Sequence, residues 1–255
     1  MMTENIRVIP VLTIIGDKLV KTVKFKKPNY IGDPINAVKI FNDNEVDELL
    51  LLDIRATVNN NEPNYSKIEE ICSEAFMPFG YGGGITNMDQ IKKLFKLGIE
   101  KVILNSSLKN SLGLVTEASI IFGSQSIVVS IDVKKSLFGK YQVYVNSGQK
   151  RLNVELEDYV KMIMDAGAGE LFINSIDRDG TFKDFDLGLI SLVSKISNLP
   201  VVVCGGANSL LSFKSAVESG ASAIAAGSLF VYRGENKGIL INYPSQKELK
   251  TIFTD

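Results

Sequence analysis

Two glycine-rich turns, Gly82-Gly83-Gly84 and Gly205-Gly206, each separate a short apolar run from a helical pattern. Glycine lets backbone come close to a ligand. The amides that open the following helix then face an anion, most naturally a phosphate. Such turns also form with no ligand at all, so glycine alone leaves both readings open. The second set of reactive groups is carboxylate: Asp53, Asp132, Asp177 and Asp179 all stand near the ends of apolar runs. The chain has no histidine, so acid–base work falls to Asp, Glu, Lys, Tyr or Cys. Asp132 can act as a general acid or base, or cap nearby amides. Asp179, in Asp177-Arg178-Asp179-Gly180, can orient a substrate or bind the amides of its own turn. Tyr81 can close a pocket or simply pack. Cys204 lacks an activating base and reads as a small core residue. No cluster has metal-ligand spacing, and nothing implies a cofactor.

These groups need a frame, and the frame is repeated. Gly83 and Gly205 lie 122 positions apart, as do Gly98 and Gly220. A constant offset across two landmarks is the mark of a duplicated half. Eight short apolar runs recur along the chain: Arg7–Leu12, Glu48–Ile54, Met77–Tyr81, Lys101–Asn105, Ser126–Asp132, Glu170–Ser175, Pro200–Cys204 and Ala221–Gly227. They lack polar alternation, as expected of parallel strands covered on both faces. Helical patterns stand between them, at Pro34–Asn44, Tyr65–Glu74, Asp89–Leu97, Val154–Ala166 and Leu187–Ser197. Eight such units in 255 residues predict an α/β chain folded as one (β/α)8 TIM barrel, residues 1–255, with half-barrel duplication. The longest insertion, Lys134–Arg151, carries alternating Tyr141, Val143 and Val145 and predicts a hairpin over one barrel mouth. In such barrels ligands bind where the strands end. Glycine turns on opposite halves then suggest a long ligand with a phosphate at each end.

Composition narrows the partners. The 45% apolar and 22% charged content supports a large core and argues against disorder. A net charge of −1 gives no global bias toward nucleic acid. The one basic cluster, Lys18 to Lys27, reads as a loop rim. Cys72 and Cys204 fit no zinc spacing and suit a reducing, cytoplasmic setting. The N-terminal MMTENIRVIPVL lacks a long apolar leader region, and no run approaches a membrane span. At the strand starts, Arg7, Glu48, Lys101 and Glu170 supply two cations and two anions at one height. They can form a closed ring or an ordinary solvated rim, where exposed pairs are worth about 0–1 kcal/mol.

The motifs GDP at 32–34, DELLLLDI at 47–54, YGGGI at 81–85, EKVILNSS at 100–107, FGSQSIVVSIDVK at 122–134, GAGELFINSIDRDGT at 167–181 and CGGA at 204–207 run in the order of a known family. From Arg7 to Phe230 the chain resembles the cyclase subunit of imidazole glycerol phosphate synthase. The resemblance implies two phosphate sites, a glutaminase partner, and ammonia passing through the barrel to the active face. It implies phosphorylated-substrate binding by Lys21, Asp53, Gly82, Gly83, Gly84, Asn105, Asn174, Asp177, Asp179, Gly180, Gly205, Gly206 and Ser228. It makes Asp132 catalytic. It makes Arg7, Glu48, Lys101 and Glu170 the salt-bridge gate of an ammonia tunnel.

The departures matter as much. The family's strand-one catalytic Asp falls at Thr13, and threonine does not titrate near neutrality. Gly80 and Asn174 stand where the family carries threonine. The segments IPVLT and LVKTVKF and the tail SLFVYRGENKGILINYPSQKEL resemble a divergent branch associated with glycosyl amidation in surface-polysaccharide biosynthesis. That branch implies ammonia supply to a separate sugar amidotransferase, which turns an acetamido into an acetamidino group. The expectation is thus a synthase subunit that receives ammonia but does not cyclise. The alternatives are a working cyclase of histidine biosynthesis, acting on phosphoribulosyl-formimino-AICAR-phosphate, and a non-catalytic scaffold that binds a phosphosugar.

Overall fold

The computed structural model describes residues 6–234 and 236–254. The first residues of the stretch read for a leader, and Glu235 in the tail, lie outside them. The chain begins with β1 (Arg7–Ile15), followed by a ribbon of β2 (Lys18–Val23) and β3 (Lys26–Gly32). Then come α1 (Pro34–Asp43), β4 (Leu49–Asp53), α2 (Tyr65–Cys72), β5 (Phe79–Gly82), α3 (Met88–Lys96), β6 (Lys101–Leu104) and α4 (Gly113–Phe122). The second half runs through β7 (Ile127–Lys135), a ribbon of β8 (Tyr141–Val145) and β9 (Lys150–Glu155), α5 (Leu156–Asp165), β10 (Glu170–Ser175) and α6 (Leu187–Ile196). It ends with β11 (Val201–Cys204), α7 (Leu210–Glu218), β12 (Ala223–Ala226), the short pair β13 (Tyr232–Arg233) and β14 (Gly238–Ile239), and α8 (Gln246–Thr254).

Strands β1, β4, β5, β6, β7, β10, β11 and β12 pair in parallel, and β12 returns to β1 with Arg7 opposite Ala223. The result is the predicted (β/α)8 barrel. Each barrel strand sends alternate residues to opposite faces. Ile9, Val11, Leu50, Ile103, Phe172 and Val202 fill the barrel interior. Val8, Leu12, Leu49, Leu51, Val102 and Ile173 pack outward against the helices. Burial on both faces is why the runs read as unbroken apolar stretches. Helix starts are set locally: Asp33 caps α1 ahead of Pro34, Asn87 caps α3, and Ser209 closes a capping box on α7.

The repeat extends well beyond the glycines. The elements β5, α3 and β6 recur as β11, α7 and β12, each beginning 122 positions later. The pair α1 and α2 recurs as α5 and α6 at the same offset. The two antiparallel ribbons obey it too, and this corrects the sequence reading. Residues Lys18–Lys27 are not a loop but most of the β2–β3 ribbon, counterpart of β8–β9, with Lys18, Lys24, Lys26 and Lys27 exposed on it and Lys21 buried. Leu19 and Val20 are buried, and Thr13 of β1 pairs with Val20. Lysine is poor at signalling a strand, so the ribbon was legible only through the duplication. The predicted β8–β9 hairpin is present, but β9 takes the first two residues of the helix expected from Val154.

No described helix is long and apolar enough to cross a membrane. No group of three or more His, Cys, Asp or Glu among the described residues could hold a metal ion. Both cysteines are free, Cys72 half-buried and Cys204 buried.

Candidate active site

The C-terminal ends of the strands surround a cavity of about 160 Å³. Asp132 enters it from β7, Asn105 from the end of β6, Asn174 from β10 and Asp53 from β4. Lys21 comes from the β2 ribbon, and Asp179 with Gly180 from the turn after β10. Gly82, Gly83 and Gly84 line one side, and Gly205, Gly206 and Ser228 the other. Asp177 is absent from the lining: its carboxylate accepts the Lys135 amide at 2.8 Å and clasps the far end of β7. Tyr81 packs in the outer core rather than closing the pocket, its hydroxyl buried without a hydrogen-bond partner among the described residues.

Asp132 is a buried carboxyl of the cavity that titrates near neutral pH. Burial pushes its carboxyl up to about 7; Asn105 works against this by donating to the carboxylate at 3.1 Å, while Asp179 adds to the rise. A carboxylate near 7 is matched to proton transfer at physiological pH. Its burial also has a stability consequence. The folded chain holds that proton more tightly than the unfolded chain, whose carboxylate titrates near ~4. The stability is therefore full below the unfolded value and lost as pH rises through about 7. Asp132→Asn can still accept from Asn105 but cannot ionise. It is expected to melt above wild type at pH 8.5, by of order 1–4 kcal/mol, with the gap closing toward pH 5. Paired thermal melts at the two pH values check it.

Opposite stands no second carboxylate of strand one. Thr13 lines the cavity, and its hydroxyl donates to the Val20 carbonyl across the β1–β2 pair. The other two carboxylates are engaged, Asp53 by backbone and Asp179 by a hydroxyl and a backbone amide. One oxygen of Asp53 accepts the Arg55 and Ala56 amides at 2.9 Å each. Asp179 accepts from the Thr22 hydroxyl at 3.2 Å and the Phe25 amide at 3.4 Å. Lys21 is buried, with Nζ donating to the Val11 carbonyl at 2.5 Å. Desolvation pulls its amine down to about 8, against the attraction of Asp179. Gly227 makes room for it, because a Cβ there would occupy the ammonium's place. Cys204 also lines the cavity, but burial pushes its thiol up to about 12, so it is no nucleophile at neutral pH.

The glycine turns have a packing reason of their own. Gly83 (φ +121°) lies on the Asp53 carbonyl, and Gly206 (φ +108°) on that of Asp184; a Cβ at either would collide with backbone. Their glycines therefore do not by themselves require a ligand. Two other features point to one. Ser106 and Ser228, 122 positions apart, each open a 3-10 turn beside a cradle, where the first amides have no acceptor inside the turn. And the Oδ1 of Asn174 is buried in the cavity wall with no hydrogen-bond partner among the described residues.

Sequence reasoning missed the ribbon residues of the wall. Thr22 and Phe25 from β2–β3, and Ser147 from β8–β9, line the cavity. Ser147 donates to the Ile54 carbonyl at 2.7 Å, and the Asn146 amide to the Ser106 hydroxyl at 2.9 Å, so the second ribbon is tied to the chain just after β4 and β6. The duplicated offset was the signal that could have found them.

At the opposite mouth, the four strand-start charges close into a ring. Arg7 bridges Glu48 and Glu170, and Lys101 bridges the same two carboxylates at 2.9 Å each. The side chains of Glu48 and Glu170 are only 4% and 8% exposed, which rules out a rim of solvated charges. Above the ring the interior is apolar. Leu50 fills the space left at Gly80, where a Cβ would meet its methyl.

Comparison with known proteins agrees with this geometry. The family model described as "Histidine biosynthesis protein" matches residues 7–237. A Pseudomonas aeruginosa chain, provisionally named imidazole glycerol phosphate synthase subunit hisF2, is 46% identical over 95% of this chain and 97% of its own length. A Vibrio vulnificus chain with the provisional name hisF3 is 47% identical over 96% and 95%. The imidazole glycerol phosphate synthase subunit HisF of Natranaerobius thermophilus is 37% identical over 94% and 96%. The chain belongs to the histidine biosynthesis protein family, as a barrel of the HisF type.

Proposed function

We propose that this barrel is the ammonia-receiving subunit of a glutamine amidotransferase complex and does not itself close an imidazole ring. The observation that carries the reading is Thr13, a non-titrating group whose proton is committed to the Val20 carbonyl. Imidazole closure in the family draws on two carboxylates, and Asp132 supplies one. In this reading a glutaminase docks below the Arg7–Glu48–Lys101–Glu170 ring and releases ammonia there. Lys101 swings out to admit it. The neutral molecule crosses the apolar interior and leaves through the cavity, where Asp132 and the two glycine cradles hold a phosphorylated ligand. The acceptor is then a sugar acetamido group on a separate amidotransferase. Greater identity to the provisionally named, numbered relatives than to the HisF of N. thermophilus supports a divergent branch.

The test is direct. The purified chain, given phosphoribulosyl-formimino-AICAR-phosphate and excess ammonium at pH 8, is expected to form no imidazole glycerol phosphate. Robust turnover would refute the reading.

One observation favours the working cyclase instead. Lys21, near 8, and Asp132, near 7, share the cavity and together make an acid–base pair around neutrality. If the chain does cyclise, Lys21→Met is expected to remove that activity while Thr13→Ala leaves it intact.

A further inference from the structure

A second cleft, of about 230 Å³, opens beside the cavity and shares Lys21, Thr22, Gly180 and Ser228 with it. One wall is the β2–β3 ribbon, through Asn29 and Tyr30; the other is the β13–β14 hairpin, through Tyr232, Lys237 and Ile239. Tyr30 is 63% exposed and Ile239 54%, so large side chains face open space rather than core. Lys237 holds its ammonium 5.2 Å above the ring of Phe182, itself part of the cavity wall.

This cleft breaks the duplication. In the first half, α4 follows the Ser106 turn at once. In the second, α8 begins 133 positions after α4 rather than 122, and the eleven extra residues accommodate the β13–β14 hairpin. Only the second cradle is thus extended, which suits a ligand with a phosphate at that cradle and a large flat group beyond it. Charge agrees. Residues 18–32 carry five lysines and no carboxylate in a chain of net charge −1, a local field suited to more than one phosphate. Tyrosine faces stack planar rings, and Lys237 can bond a ring's polar edge, while Asn29 is engaged by the Tyr232 hydroxyl across the cleft.

We propose that the β2–β3 and β13–β14 cleft takes the nucleoside of a nucleoside diphosphate whose phosphates sit between Lys21 and Ser228. The inference rests on the anion reading of the second cradle. Titration calorimetry with uridine 5′-diphosphate, adenosine 5′-diphosphate and inorganic pyrophosphate tests it, with saturation-transfer NMR on the base protons. Both nucleotides are expected to bind at least about tenfold tighter than pyrophosphate, with transfer to the base. Tyr30→Ala, at an exposed site, is expected to leave the melt and pyrophosphate binding unchanged and to weaken the nucleotides about tenfold. Equal affinity for pyrophosphate and nucleotides, no transfer to the base, or indifference to Tyr30→Ala overturns the proposal and leaves the cradle reading standing. Failure of pyrophosphate and both nucleotides to bind overturns the two together.

Discussion

Thr13→Asp is expected to raise ammonia-driven imidazole glycerol phosphate formation by about 10²–10⁴ over wild type, the usual worth of a positioned acid–base group. The new carboxylate would enter the cavity from β1 and face the carboxylate on β7. It cannot donate to Val20, so it loses the bond that now holds the threonine hydroxyl. That costs about 1 kcal/mol of stability. It also brings a second negative group toward Asp132, which already feels Asp179, so the carboxyl near 7 should climb further. The pH–rate profile of the variant is therefore expected to rise on a limb above about 7. Product formation by chromatography across pH 6–9 measures both effects. A silent Thr13→Asp variant of a silent wild type would mean that the other departures, Gly80 and Asn174, carry the loss.

Lys101→Met acts at the other end of the barrel. Lys101 bonds Glu48 and Glu170 at once. Without it two nearly buried carboxylates share a single cation, Arg7. Breaking a buried ion network by removing one partner costs about 3–5 kcal/mol; the partial exposure of Lys101 brings the expected loss to about 2–4 kcal/mol. In a chain of this size that is a fall of about 5–15 °C in Tm. Adding Glu48→Gln should recover part of it, because the surplus charge then disappears. The functional expectation separates conduit from scaffold. In complex with its glutaminase, the variant should lose glutamine-driven transfer and keep whatever transfer free ammonium supports. Equal retention of both would remove the gate from the proposed function.

The two ends differ in how they were legible. Unbroken apolar runs, the helical patterns between them and turn glycines are local properties, and they predicted the strands, most of the helices and the barrel that β12 closes onto β1. The repeat at 122 is likewise a property of the linear chain. It was read only from the glycines, although it also specified the β2–β3 ribbon that lysines disguised. Asp132, Asn105 and the glycine turns could be assigned to one mouth because a barrel puts all strand ends on one face.

What the amino-acid order determined, then, is the barrel, its duplication, and which residues lie at each rim. Tertiary structure alone decided that Arg7 reaches partners 41 and 163 positions away, that Lys21 is buried and lowered to about 8, that Asp177 turns outward to Lys135, and that Thr13 commits its proton to Val20. The reason is physical. Local patterns fix which face a side chain takes. Closure of the sheet fixes which distant charge or carbonyl meets it there, and how much water is left around the pair.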